Sequence, residues 1–132
     1  ESHPSVSNYA MGVSAMAALD DGKLLVLERE FVVTSSKIGS FVENKIYCVD
    51  PVKSMTISQE KALDADSPYM QKTLIATWKT SLGLLRQNLA NYEGMCLGPR
   101  LADGSQVIVL CADSQDQYGG VLRDWFRTII IR

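Results

Sequence analysis

Histidine is nearly missing from this sequence: it occurs once, as His3. A histidine nucleophile or a Ser-His-Asp triad is therefore not expected, because each needs an imidazole at the centre of the fold. Ser14 and Ser114 consequently have no visible base. Cysteine is sparse and odd in number, Cys48, Cys96 and Cys111, with no CxxC spacing. Neither a disulfide framework nor a zinc site follows from that pattern. Cys96 and Cys111 fall on one expected hairpin, where pairing stays open; the expected state is three buried free thiols acting as small hydrophobes. No apolar run approaches the roughly 20 residues that span a bilayer. Excess positive charge is also lacking. Lys and Arg total 13 against 15 Asp and Glu, a net charge of -2, so a nucleic-acid partner has no electrostatic footprint. Disorder is not expected at 46% hydrophobic and 21% charged residues, and 132 residues suffice for one domain with a core.

What the sequence does contain is a repeated β pattern. Gly94-Met95-Cys96-Leu97 and Val107-Ile108-Val109-Leu110 flank Ala102-Asp103-Gly104. Asp-Gly between apolar runs is a strong hairpin signal, since Gly takes positive φ without a Cβ clash. Antiparallel pairing then brings Asn91 and Glu93, before the first run, to the same sheet end as Asp113, after the second. Upstream, an apolar run over residues 12–19 meets Asp20-Asp21-Gly22 and continues as Lys23-Leu24-Leu25-Val26-Leu27-Glu28-Arg29-Glu30. The copies align with Ser14 over Glu93 and Met16 over Met95, an offset of 79 residues, with a longer turn in the second copy.

Further strands are expected at Lys45-Ile46-Tyr47-Cys48-Val49, over residues 71–79, and at the end over 125–132. Leucines at 82, 85 and 89 have helical spacing over 82–89, and a short helix is expected at 59–63. Residues 1–8 read as a flexible lead-in, Asp64 and Asp66 as a solvated turn, and Tyr118-Gly119-Gly120 as a rim loop. The methionines read as core filler. The expected fold is all-β, with antiparallel four-stranded blade-like sheets forming about two blades of an incomplete β-propeller, in one domain over 1–132. Open blades leave unpaired strand edges, from which a homodimer is expected.

Lys23-Leu24-Leu25-Val26-Leu27-Glu28-Arg29-Glu30, Asn44-Lys45-Ile46-Tyr47-Cys48-Val49-Asp50, Asn91-Tyr92-Glu93-Gly94-Met95-Cys96-Leu97-Gly98-Pro99-Arg100 and Val109-Leu110-Cys111-Ala112-Asp113-Ser114 come in an order that resembles the bacterial "esterase-like activity of phytase" family. The resemblance covers most of residues 12–131. It implies the C-terminal part of a longer β-propeller domain, exported to the periplasm or secreted, that hydrolyses phosphate esters or other esters. The opening Glu-Ser-His-Pro, without Met or leader, reads as a processed or excised form. The 132-residue piece is then expected to be inactive by itself, its remaining site acids lying upstream.

Asn91, Glu93 and Asp113 offer only oxygen ligands, which suit Ca²⁺ or Mg²⁺. Calcium is the expected cofactor, able to neutralise phosphate charge and activate water. Arg29 suits bidentate clamping of a phosphate or carboxylate, with Glu28 holding it in place; these two are the candidate catalytic residues. The alternative assigns Asn91 and Glu93 to capping the preceding turn, and Glu28 and Arg29 to a surface pair. At the level of function the alternative is a non-catalytic propeller acting as a binding or interaction module.

Overall fold

The computed structural model describes residues 6–57, 62–116 and 120–132. His3, most of the expected helix at 59–63, and Tyr118 and Gly119 of the expected rim loop lie outside the described residues. The rest is all-β. Seven strands, β1 (Val6–Ala18), β2 (Leu24–Thr34), β3 (Phe41–Val49), β4 (Lys72–Ser81), β5 (Tyr92–Arg100), β6 (Gln106–Ala112) and β7 (Phe126–Ile131), follow one another. They form two antiparallel meanders, a four-stranded sheet β1-β2-β3-β4 and a three-stranded sheet β5-β6-β7. A 3₁₀ turn spans Pro51–Lys53, where the Asp50 side chain accepts from the Val52 N–H. Val6 to Asn8, expected in the lead-in, open β1 instead.

Both hairpins close in the same way. Leu19 N–H donates to Lys23 O at 2.8 Å and Leu101 N–H to Ser105 O at 2.8 Å, with Gly22 at φ 81° and Gly104 at φ 86°. The turns are therefore equal in length, which corrects the expected longer second turn. From Leu19 to Leu101 the offset is 82 residues, not 79. The ladders agree: Gly12 pairs with Arg29 as Gly94 pairs with Cys111, and Ala18 with Leu24 as Arg100 with Gln106. Met11, rather than Ser14, is the counterpart of Glu93.

The two sheets stack face to face. Alternation along β2 sends Leu25 and Leu27 inward, where they meet Ile46 of β3 and Tyr92, Ile108, Leu110 and Ala112 of the second sheet. Of the methionines, only Met95 packs against this core; Met11, Met16, Met55 and Met70 are exposed. The thiols depart from expectation too. All three are free, with Cys96 and Cys111 exposed and Cys48 half-buried.

Residues 82–89 form no helix. Leu82 is held outside helical pairing because its N–H donates to Ser40 O and its C=O accepts from Gly39 N–H. The chain then reverses through Gly83 N–H to Arg86 O and a Leu82–Gln87 bridge. Leu89 is buried with Val42 and Leu122 in a second small cluster, whereas Leu85 is fully exposed. The leucine spacing thus reflects a folded-back loop with two anchored ends.

Two strand glycines behave oppositely. A Cβ on Gly98 would lie 3.1–3.2 Å from Val107 and Val109, whose β-branched side chains have little rotamer freedom. Gly98→Ala is expected to cost about 1–3 kcal/mol through overpacking, and Val107→Ala to recover part of it. Chemical denaturation of the single and double variants checks this; an unchanged midpoint for Gly98→Ala goes against it. At Gly12 an added Cβ meets nothing within 4 Å.

Candidate functional site

Arg29 continues the inward series Leu25, Leu27, so its side chain points at the second sheet. There, Ala90 lies two residues before the start of β5, and its N–H and C=O are both held by Thr80 Oγ1 at 3.2 Å. That anchor fixes Asn91, which is completely buried. Arg29 Nη1 donates to Asn91 Oδ1 at 2.5 Å and Nη2 donates to Glu93 Oε1 at 2.7 Å. Asn91 Nδ2 donates to the same Glu93 oxygen at 2.8 Å. The result is a closed triangle joining the two sheets, with the Arg29 and Glu93 side chains 21% and 31% exposed.

Three of the five candidate residues therefore meet, and two do not. Glu28 neighbours Arg29 in sequence, but successive strand residues point to opposite faces. It lies on the outer face of the first sheet, where Lys72 Nζ reaches its oxygens at 2.6 and 2.8 Å beneath the Tyr47 ring. Glu28 thus neither holds nor pairs with Arg29. Asp113 does reach the Asn91 end of the sheet, its N–H donating to Asn91 O at 2.9 Å. Its carboxylate, however, accepts from Gln115 N–H at 2.7 Å and shapes the loop after β6. Asn91 and Glu93 cap no turn; their side chains serve Arg29. Gly94 makes room for the Cys111 sulfur.

These contacts decide what the donor set fits. The Asn91 amide oxygen and one Glu93 oxygen already accept from a guanidinium, and an Asp113 oxygen is committed locally. Among the described residues, no three His, Cys, Asp or Glu side chains gather closely enough to hold a metal ion. The arrangement fits a fixed guanidinium rather than a divalent cation, which would have to displace Arg29.

The row beside Arg29 went unnoticed in the sequence. Asn44 pairs with Arg29 across β2–β3 and with Trp78 across β3–β4. Asn44 Oδ1 and Trp78 Nε1 are both buried and have no hydrogen-bond partner among the described residues. Trp78 meets Tyr92 edge-on, ring centroids 5.6 Å apart, and Arg127 lies 5.1 Å from the Trp78 ring. Burial pushes the Tyr92 phenol up, and Arg127 partly offsets this. Tyr92 therefore remains a neutral wall of the seam at ordinary pH. Strand alternation from Arg29 was the available signal, since it places Asn44 and Trp78 on the same face once pairing is known.

Beside Arg29 lies a recess of about 90 Å³ lined by Ala10, Met11, Gly12 and Val13 of β1. The guanidinium has five N–H donors, of which Asn91 and Glu93 take two. No helix among the described residues is long and apolar enough to cross a membrane.

The family described as Phytase-like, esterase-like activity of phytase, matches residues 2–115. That span covers the first sheet and the β5–β6 hairpin, hence every member of the Arg29 cluster. Searches of curated proteins and of solved structures return no match. On the extent of the family match, the chain belongs to the family of the esterase-like activity of phytase.

Proposed function

We propose that this chain supplies an oxyanion-holding arginine to a phosphoester or carboxylic ester hydrolase of the phytase-like kind. The observation that carries the reading is a guanidinium fixed by Asn91 and Glu93 on a residue that also lines the open recess on β1. A planar fork aimed in advance recognises a phosphoryl or carboxylate group bidentately and stabilises charge that develops during hydrolysis. Glu93 and Asn91 aim the fork. Calcium enters this reading only as a competitor for the Glu93 carboxylate. Periplasmic or secreted placement accompanies the reading through the family.

Arg29→Lys tests it. Lysine keeps the charge but loses the fork. Turnover of a chromogenic phosphate monoester and of a carboxylic ester by the intact protein is expected to fall roughly tenfold or more, with little change in melting temperature. Unchanged turnover of both substrates overturns the proposal. A second reading, a non-catalytic binding module, is favoured by the fact that the Arg29–Glu93 pair also ties the two sheets together. On that reading the wild-type protein hydrolyses neither ester.

Self-association belongs to the same proposal. β7 is an edge strand, with Phe126 80% and Ile130 57% exposed, and such edges recruit further strands. Light scattering is expected to show a dimer that Ile130→Lys weakens; a monomer at high concentration goes against it.

A further inference from the structure

Glycine inside a strand weakens it and usually marks a bulge, a close backbone approach, or a place where a ligand comes near. Gly12 can be sorted among these. The β1–β2 register runs unbroken from Asn8 to Val13, so no bulge falls at Gly12. No backbone approaches it, since an added Cβ meets nothing within 4 Å, and its φ lies outside the left-handed region. Ligand approach is the reason that remains.

The repeat supplies an internal comparison. Gly12 faces Arg29 in the ladder as Gly94 faces Cys111, each pair 82 residues apart from its counterpart. At Gly94 the space of the absent side chain is filled by the Cys111 sulfur. At Gly12 the same space is open, and Gly12 and Arg29 both line the recess of about 90 Å³. Directly paired residues of antiparallel strands share a face, so any longer side chain at position 12 stands over Arg29.

We infer that Gly12 is a specificity-determining residue that keeps Arg29 accessible and limits its ligand to one small oxyanion group. This rests on the proposed oxyanion role of Arg29. Guanidinium N–H donors not taken by Asn91 and Glu93 are left for such a group, while Glu93 offsets the guanidinium charge. Recognition is therefore by donor geometry more than by net charge. Glu28 and Glu30 flank Arg29 in sequence but point to the other face of β2, and Glu28 is paired with Lys72 there.

The test is titration of the full chain with inorganic phosphate at low ionic strength, read by NMR at the backbone amide resonance of position 29. Phosphate is expected to shift this signal in the wild type and in Gly12→Ala alike. Gly12→Leu is expected to weaken binding on the order of tenfold, as for loss of a charge-assisted contact, with the melting temperature held or raised. Gly12→Val is the second variant, used where leucine disturbs the fold, with the same expectation. If Gly12→Leu and Gly12→Val bind phosphate like the wild type while Arg29→Lys does not, the role of Gly12 is overturned and the oxyanion reading stands. If the wild type shows no shift, the oxyanion reading fails, and the Gly12 inference with it.

Discussion

Leu27→Ala is expected to destabilise the protein by about 2–5 kcal/mol, the range for deleting buried methyl groups from a packed core. Leu27 is fully buried, and its neighbours Leu25, Ile46, Ile108 and Leu110 are fully buried too. They come from both sheets, so local collapse cannot close the void without moving one sheet against the other. The change also sits two residues before Arg29 on the same face. A shift of the sheets there lengthens the Arg29–Glu93 contact, so phosphate affinity is expected to fall together with stability. Denaturant titration checks the first effect and phosphate titration the second. A loss under 1 kcal/mol would show that the sheets are not packed through this residue.

Much of this architecture is legible in the sequence. Asp-Gly between apolar runs located both hairpins, because few residues other than glycine sit comfortably at φ near 81° or 86°. Apolar runs such as Leu24-Leu25-Val26-Leu27 located the central strands. Strand ends were less visible: β3 begins at Phe41 rather than Lys45, because Glu43 and Asn44 interrupt the apolar text without interrupting the ladder. The leucines over 82–89 misled because periodicity cannot distinguish two anchored loop ends from one helical face.

At the site, residue chemistry was legible and partnership was not. Arg29 stood out as a fork and Asn91 and Glu93 as oxygen ligands for a cation, yet Arg29 was joined to its sequence neighbour Glu28. Period-two alternation already forbade that pairing. What no local pattern contained was the stacking of one sheet on the other, which carries Arg29 to residues 62 and 64 positions away. The 79-residue alignment failed for a related reason. Character matching of Met16 with Met95 overrode the turn, whereas the ladder sets Gly12 over Gly94.

The Arg29–Glu93 pair carries the remaining large effect, and a double-mutant cycle separates its parts. Arg29→Met keeps much of the length and removes the donors, leaving the buried Asn91 oxygen and the Glu93 carboxylate without their guanidinium. That is expected to cost about 2–3 kcal/mol, the penalty for stranding a buried acceptor together with a partly buried charge. Adding Glu93→Gln removes the stranded charge and should return roughly 1 kcal/mol. Glu93→Gln by itself keeps a carbonyl oxygen for Arg29 and Asn91 while deleting the charge that offsets the guanidinium. Phosphate affinity is therefore expected to rise, by roughly fivefold if the offset is worth about 1 kcal/mol. A calcium ligand behaves in the opposite sense, since removing its charge weakens the ion and any phosphate held through it. Measured side by side, tighter phosphate binding with no calcium dependence supports Arg29 as the cation of the site. Weaker phosphate binding together with lost calcium binding assigns Glu93 to a metal and overturns the arginine reading.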